Sequence, residues 1–305
     1  MSLWKHYHLP RSIEEAVELL NRYDGQARVV GGGTDLILEM QAGHGPSVEA
    51  LVDPTCIPGL DQIVEEAPYL VIGAGVTHSQ ITTDPRVVRG GTCLGESCGV
   101  IGGPQVRNVA TLAGNIAHAM PAADGSIGLL ALGGEVEIAG IQVAPADSEV
   151  VRRWVPLDKA FLGPGKSAID STRELITRLR FVPTRAGEGS AFKRVMRPQG
   201  VALPMINMAV LLRLDGTGQQ VLGARVTIGP AGPRPFLATQ TMDFLSGRPA
   251  VDETFARAAQ VAQREVGLRS SRHRATQEYR AEMIRTLLPK TMAEAAERAR
   301  AGPGT

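Results

Sequence analysis

The sequence has few cysteines, no excess of charge and no long hydrophobic run, and each of these absences excludes a class of protein. Its three cysteines are an odd number in 305 residues, and none of them forms a C-x-x-C pair. They argue against a disulfide framework, indicate a reducing compartment, and supply too few thiolates for an iron–sulfur cluster in this chain alone. The net charge of +1 provides no field that would hold nucleic acid or an anionic membrane.

No stretch approaches the roughly 18 apolar residues of a membrane-spanning helix, and the first residues contain no signal peptide. We therefore expect no membrane span and a cytoplasmic location. The six histidines show no H-E-x-x-H or other ligand spacing, so no metal site is predicted. Hydrophobic residues make up 43% of the chain, and its length favours two domains with a substantial core.

Helices alternate with short strands in the first half of the chain. Ser12 and Glu15 form an S-x-x-E capping box before apolar residues at helical spacing, which predicts a helix. A buried strand at 27–30 then leads through three glycines into a helix with its N-cap at Thr34 or Asp35. Further elements are predicted in this order: strands at 50–53 and 69–76, a helix after the capping box at Thr77 to Gln80, a helical stretch at 85–98, a turn-rich passage at 108–115, a helix at 122–132 and a strand at 135–139.

From about residue 173 the pattern changes to successive strands separated by turns, which predicts a separate antiparallel sheet. The chain closes with two helices, of which the second is amphipathic. The domain boundary is placed near 170–188, and the overall class is α+β. The predicted elements of this half are strands at 175–182, 190–195, 205–214 and 221–228 and helices at 252–265 and 276–300.

The glycines at 31–33 form the first candidate binding site. They expose backbone N–H groups at the start of a helix, an arrangement that binds phosphate without a cationic side chain. A glycine turn that serves packing alone is at least as common. A G-x-G-x-x-G motif starting at Gly31 would need glycine where Leu36 stands, so a Rossmann NAD site is disfavoured.

A second candidate site offers hydroxyl, bare backbone and amide groups within five residues, at Thr111, Gly114 and Asn115. This set suits a pyrophosphate or a sugar chain, although a well-capped turn would explain it equally. Asp124, ahead of an apolar helix, has the same two interpretations: a carboxylate that accepts hydrogen bonds from ligand hydroxyls, or a helix N-cap.

Two further motifs are incomplete. Residues 95–99 match the G-x-S-x-G nucleophile elbow but lack the buried strand that must precede it, which makes a hydrolase improbable. Residues 163–167 end like a P-loop, but Ala160 stands where the first glycine is required, so an NTPase is not expected.

Several segments in the right order resemble one known family. Residues 29–36 (VVGGGTDL) and 104–115 (PQVRNVATLAGN) are similar to the two FAD motifs of the carbon monoxide dehydrogenase medium subunit and the xanthine dehydrogenase flavin domain. Residues 161–166 and 174–183 resemble the passage that leaves that domain, and 191–194 resemble the entry to the family's C-terminal domain. The resemblance covers nearly the whole chain.

The resemblance implies an α+β fold: a vanillyl-alcohol-oxidase-like (PCMH-type) FAD-binding domain of two subdomains, followed by a smaller α+β C-terminal domain. The implied boundaries are 1–57 and 58–175 for the two subdomains and 185–300 for the C-terminal domain. It further implies that FAD binds in extended form between them, and that no residue of this chain acts as general acid, general base or nucleophile.

By the matching positions, the glycines, Thr34 and the second candidate site would hold the FAD pyrophosphate, and Asp124 would contact the ribityl or nearby hydroxyls. Ile101 would flank the isoalloxazine edge, and the Lys193 cation would stabilise the anionic reduced flavin. The implied cofactor-binding residues are Val30, Gly31, Gly32, Gly33, Thr34, Asp35, Ile101, Ala110, Thr111, Gly114, Asn115, Asp124 and Lys193.

The resemblance also implies partners. A large subunit would carry molybdopterin, a small subunit two [2Fe–2S] clusters, and the complex would be a dimer of heterotrimers that passes electrons through this FAD to NAD, a quinone or oxygen. A stand-alone flavin oxidase and a flavin-less scaffold subunit are the alternatives. The chain departs from the family pattern at 196–204, where many relatives carry an aspartate, and it has no cysteine-rich insertion for an extra cluster.

Overall fold

The computed structural model describes residues 3–44, 48–143, 148–197, 203–271 and 274–302. The chain begins with a small three-stranded parallel sheet in the order β1-β3-β2, flanked by two helices. Its elements are β1 (His6–His8), α1 (Ile13–Arg22), β2 (Ala27–Val29), α2 (Leu36–Gln41) and β3 (Ala50–Val52).

A five-stranded antiparallel sheet in the order β4-β5-β10-β6-β7 forms the second part, with six short helices between β5 and β6. The strands are β4 (Ile63–Glu66), β5 (Tyr69–Gly73), β6 (Glu135–Val143), β7 (Ser148–Pro156) and β10 (Leu175–Phe181), with a small hairpin of β8 (Phe161–Gly163) and β9 (Lys166–Ser167). The helices are α3 (His78–Thr83), α4 (Pro85–Gly90), α5 (Thr92–Gly99), α6 (Pro104–Arg107), α7 (Leu112–Ala117) and α8 (Asp124–Ala131).

The last part is a four-stranded antiparallel sheet in chain order, covered by three helices. The long final helix contacts the first two strands of this sheet. The elements are β11 (Glu188–Val195), β12 (Ile206–Leu214), β13 (Val221–Gly229), β14 (Phe236–Leu237), α9 (Thr239–Leu245), α10 (Asp252–Glu265) and α11 (Gln277–Ala301).

The buried apolar side chains of the described residues form four groups, and two of the larger ones join parts of the chain. The core under the first sheet joins α1 to the five-stranded sheet, because Val17 and Leu20 pack in one cluster with Ala139 and Leu175. The core beneath helices α3 to α8 extends to Phe192 and Ala209 of the C-terminal sheet. The last sheet and its helices form a third core of their own.

Local sequence signals explain where several helices start. The Thr77 capping box forms in both directions with Gln80. The Ser12 hydroxyl also caps α1, but the Glu15 carboxylate accepts from the Arg11 N–H, so that box is not reciprocal as predicted. Asp35 is the N-cap residue of α2, yet its side chain makes no capping hydrogen bond.

The structure corrects some predicted elements. The helical stretch expected at 85–98 is two helices, α4 and α5, which break at Gly91. Strands β1, β4 and β7, helices α6, α7 and α9, the hairpin of β8 and β9, and β14 were not predicted. The passage at 108–115, which was predicted as turns, runs into α7, because the Thr111 side chain caps a helix there. The departure from the family pattern at 196–204 lies largely outside the described residues, since 198–202 are not among them.

The two incomplete motifs serve structure. Residues 95–99 lie inside α5, where the buried Ser97 hydroxyl donates to the Leu94 carbonyl oxygen, so no strand-to-helix elbow exists. Residues 163–167 turn the hairpin of β8 and β9. In the described part of the chain no helix is long and apolar enough to cross a membrane.

The packing of α11 on β11 depends on a missing side chain. A Cβ added to Gly189 would lie 2.3 Å from the Ala295 carbonyl oxygen and 2.4 Å from the Ala299 nitrogen. Both neighbours are helix backbone and have little room to move. We therefore expect Gly189→Ala to lower the free energy of unfolding by about 1–3 kcal/mol, measured by denaturant titration.

Gly216→Ala is the matched control, because an added Cβ there meets no atom within 4 Å. Its free energy of unfolding should stay within about 0.5 kcal/mol of the wild type. Equal stability of the two variants would show that α11 moves away from the sheet at little cost.

Candidate functional site

The three glycines between β2 and α2, here called the glycine loop (Gly31–Gly33), lie directly against the segment before α7. A Cβ on Gly32 would lie 2.1 Å from the Val109 carbonyl oxygen, and one on Gly31 would lie 3.2 Å from Thr111 Oγ1. Gly33 has φ of +67°, in the left-handed region that favours glycine. Two segments far apart in the sequence thus meet at a distance that only glycine permits.

The glycine loop presents free donors to its surroundings. The backbone N–H groups of Gly31 to Thr34 have no hydrogen-bond acceptor within the described ranges, and these four residues are partly exposed. Val30, just before them, is buried and supports the loop from the core. Unpaired N–H groups that converge at a turn form an anion-binding surface.

Thr111, Gly114 and Asn115 lie on the other side of the contact with the glycine loop. The Thr111 side chain caps α7 by accepting from the Gly114 N–H at 3.0 Å, so its hydroxyl is fixed beside the glycine loop. Asn115 Oδ1 accepts from both the N–H and the hydroxyl of Ser126. That orientation leaves the Asn115 amide N–H groups available to a ligand, and Gly114 is exposed.

The start of α3 holds this segment in place. Thr77 pairs with Thr111 in a β-bridge, and the His78 N–H donates to the Ala110 carbonyl oxygen at 3.0 Å. The His78 ring is buried and its Nδ1 has no hydrogen-bond partner among the described residues. Burial, with a smaller effect of the Arg107 charge, lowers the pKa of His78 to about 4, so its ring is neutral.

Ile101 lies in a loop that Arg107 closes. The Arg107 guanidinium donates to the carbonyl oxygens of Ile101 and Gly102, at 3.0 and 3.1 Å. Ile101 is partly exposed and lies two residues beyond the end of α5. The loop is therefore stabilised through its backbone, which leaves the Ile101 side chain free to contact a flat ligand.

Asp124 is buried at the start of α8, where it faces β11 and β12 of the C-terminal sheet. Its carboxylate accepts from Arg194 at 2.7 Å and from the Asn207 amide at 2.6 Å. Burial raises the pKa of Asp124 to about 6, although Arg194 and Asn207 oppose the shift. Asp124 is not the N-cap of α8, since Ala123 occupies that position, so the capping interpretation was wrong.

Lys193 lies on β11 at a pocket between the two domains. The pocket is lined by α5, β11 and α11, and its residues are Glu96, Gly99, Val100, Phe192, Lys193, Arg194 and Glu294. The Lys193 ammonium pairs with Glu294, at 2.5 Å from Oε2. The lysine is one-third exposed, so it faces the pocket and is not buried in a core.

The predicted site residues thus fall into two places. The glycine loop lies against the segment of Val109 to Thr111, just before Gly114 and Asn115, and Thr34 and Asp35 follow the loop. Ala110 and Thr111 are buried at this contact, and Asp35 Oδ1 lies 3.8 Å from His118 Nε2. Lys193 lies at the pocket beyond α5, and Asp124 lies beneath it, bonded to Arg194 of the same strand. In the described ranges no group of three or more His, Cys, Asp or Glu could hold a metal ion.

Sequence reasoning missed the residues that support the site. His78 and Arg107 hold the segment from 101 to 111, and Arg194, Asn207 and Glu294 hold Asp124 and Lys193. Arg107 and Arg194 lie inside the motifs on which the resemblance rests, so their positions were visible although their contacts were not. No local pattern distinguishes Asn207 or Glu294 from other residues of a strand or a helix.

Comparison with known families assigns the class. Residues 3–184 match the family model described as the FAD binding domain in molybdopterin dehydrogenase, and residues 190–295 match the CO dehydrogenase flavoprotein C-terminal domain. Since the first match covers more than half of the sequence, the chain belongs to the FAD-binding flavoprotein family of the molybdopterin dehydrogenases.

The relatives are subunits of oxidoreductases. The chain is 28% identical to the nicotine 6-hydroxylase medium subunit of Paenarthrobacter nicotinovorans, over 96% of this chain and 97% of the relative. It is 29% identical to the xanthine dehydrogenase FAD-binding subunit of Escherichia coli O157:H7, over 95% of each. A solved carbon monoxide dehydrogenase of Hydrogenophaga pseudoflava superimposes with a TM-score of 0.85 at 27% identity, over 96% of this chain and 97% of that chain.

These likenesses confirm the α+β flavoprotein fold, with an FAD-binding domain followed by a C-terminal domain of the CO dehydrogenase flavoprotein type. They confirm FAD as the cofactor of this chain and its membership of an oxidoreductase of the molybdenum hydroxylase type. The individual contacts predicted for the thirteen cofactor-binding residues stay predictions.

The buried neutral His78 predicts a pH-dependent stability. Its folded pKa of about 4 lies below the ordinary value of 6.5, so the unfolded chain binds a proton first as the pH falls. Stability is therefore present above pH 6.5 and is lost towards pH 4. When the pH is lowered from 7.5 to 5, we expect His78 to lower the free energy of unfolding by about 2 kcal/mol.

The measurement is denaturant unfolding of the wild type and of His78→Gln at both pH values. Asp124 acts with the opposite sign, because its raised pKa favours the folded chain at low pH, so only the difference between the two proteins isolates His78. The wild type should lose about 2 kcal/mol more than the variant. Parallel losses would mean that His78 is protonated in the folded protein.

Proposed function

We propose that this chain is the FAD-binding subunit of a molybdenum hydroxylase and passes electrons from the [2Fe–2S] clusters of a small partner subunit to an external acceptor. The substrate would be oxidised at molybdopterin in a large partner subunit, and the complex would be a dimer of heterotrimers. NAD, a quinone or oxygen are the candidate acceptors. The free thiols of the chain suit a reducing compartment, the cytoplasm.

One observation supports the proposal most directly: the close approach of Gly32 to the Val109 carbonyl oxygen, which brings together the two segments that resemble FAD motifs. The N–H groups of Gly31 to Thr34, the Thr111 hydroxyl and the Asn115 amide suit a pyrophosphate, which needs donors and little side-chain bulk. FAD bound there supplies a carrier that accepts electrons singly and can release them as a pair. The residues present therefore fit the cofactor.

The remaining predicted contacts have clear roles in this scheme. Val30 and Ala110 support the two halves of the surface from below, and Asp35 lies at its edge. Ile101 would flank the isoalloxazine edge, and the Lys193 cation would stabilise the negative charge of the reduced ring. For Asp124 we propose a contact with the ribityl or nearby hydroxyls, made by the lone pairs that Arg194 and Asn207 leave free.

The first test is an absorption spectrum of the purified chain, with identification of the cofactor released on denaturation. Flavin bands and released FAD would support the proposal. A colourless protein that also does not bind added FAD would contradict it and favour a scaffold subunit. Substrate oxidation by this chain without partners would favour a stand-alone oxidase.

A sharper test uses Gly32→Ala. The added methyl group collides with the Val109 carbonyl oxygen, so the glycine loop must move away from Thr111 and the donors no longer converge. We expect the Kd for FAD to rise about tenfold or more. The measurement is a titration of the apoprotein with FAD, followed by flavin fluorescence.

Gly95→Ala is the control, because Gly95 lies in α5 and an added Cβ there meets no atom within 4 Å. Its FAD affinity should match that of the wild type. If Gly32→Ala also binds FAD with unchanged affinity, the cofactor does not depend on the contact between the two motifs.

A further inference from the structure

Lys193, the cation that we propose lies beside the flavin, belongs to a series of alternating charges. Lys193 Nζ lies 2.5 Å from Glu294 Oε2, and Arg298 Nη2 lies 2.5 Å from Glu294 Oε1. Arg298 also lies 2.5 Å from Glu96 Oε1. Two cations and two anions therefore alternate beside the pocket, which Glu96, Lys193 and Glu294 line. Three separate elements, β11, α11 and α5, contribute the four side chains.

The backbone fixes the far end of this series of charges. Arg298 Nη1 donates to the Ser190 carbonyl oxygen at 2.7 Å, and Glu96 Oε2 accepts from the Phe192 N–H at 2.8 Å. Glu294 and Arg298 are four residues apart on α11 and face the same way. Glu294 is thus held by a rigid neighbour, whereas Lys193 has Glu294 as its one ion-pair partner among the described residues.

The four side chains are between 29% and 33% exposed, so water screens them only in part. A surface pair of this kind adds little to stability. Pairing matters more for the electric field at a nearby group. A cation beside its own counter-ion acts at a distance as a weak dipole and not as a full charge. What Lys193 contributes to the flavin then depends on Glu294.

We propose that Glu294 is a positioning residue that restrains Lys193 and thereby sets the reduction potential of the bound FAD. This inference rests on the proposed function, since it requires flavin beside Lys193. With the carboxylate in place, the ammonium is held towards α11 and partly neutralised. Without it, the full positive charge is available to the reduced ring, and the potential rises.

The test is the reduction potential of the full chain loaded with FAD, measured by equilibrium reduction against a reference dye. Glu294→Gln keeps an oxygen that accepts from Lys193 but removes the negative charge. We expect it to favour reduction about tenfold, which corresponds to about 30 mV for a two-electron couple. An unchanged potential would overturn the inference.

The double variant separates positioning from a direct effect of Glu294. If Glu294 acts through Lys193, its substitution in a Lys193→Gln background should leave the potential nearly unchanged. A shift as large as in the wild-type background would mean that Glu294 acts on the flavin by itself, which contradicts the proposal.

Glu282→Gln is the matched control, because Glu282 lies on α11 and pairs with Arg285 on the exposed surface. It should leave the potential unchanged. If Glu294→Gln does not fold or retain FAD, Glu294→Asp serves instead: it withdraws the carboxylate from Nζ and should raise the potential by a smaller amount. A Glu294→Asp protein with the reduction potential of the wild type would also contradict the proposal.

Failure of the proposed function gives a different result. A wild-type chain that takes up no FAD contradicts that function before any variant is compared. A wild type that binds FAD, beside a Glu294→Gln protein with the same potential, contradicts only the role given to Glu294.

Discussion

The close approach of the glycine loop to the Val109–Thr111 segment is the constraint on which the rest of the site depends. An added Cβ at Gly32 has no room there, since the Val109 carbonyl oxygen would be 2.1 Å away. The contact joins the small parallel sheet to the helices of the second subdomain. Within the described residues the loop donors are unpaired and the Thr111 hydroxyl is fixed by its cap, so the anion-binding surface that we propose would be preformed. Preformed donors lose less conformational entropy on binding than mobile ones.

Several polar contacts attach the C-terminal domain to the FAD-binding domain, and two of them lie beside Lys193. Asp124 with Arg194 and Asn207 forms a buried contact, and Glu96 with Arg298 forms a more exposed one. A buried pair gains little net stability because both partners lose water, but it is costly to break and fixes the relative position of its elements. Arg194 follows Lys193 on β11, and Glu96 accepts from the N–H of Phe192, which precedes Lys193. The domain junction therefore determines which charges reach the pocket.

Much of the secondary structure was predictable from local pattern. The helix predicted at 252–265 has those bounds, and the strands and final helix of the C-terminal part agree within a few residues. The missed strands have a physical explanation. β1 is a short, largely exposed edge strand, and β7 is rich in charged residues, so neither shows the alternation that marks a half-buried strand. Their pairing is supplied by neighbouring strands, which a local window does not contain.

The sequence by itself determined the family and the cofactor, through segments that resemble the family's motifs, and its glycines and capping residues leave a readable local signature. Only the tertiary structure decided that Gly32 meets Val109, that Asp124 pairs with Arg194, and that Lys193 is restrained by Glu294. These pairs are separated by long stretches of chain, and no local pattern encodes a distance between them. Sheet order and helix packing set that distance, and with it the charge that surrounds the site.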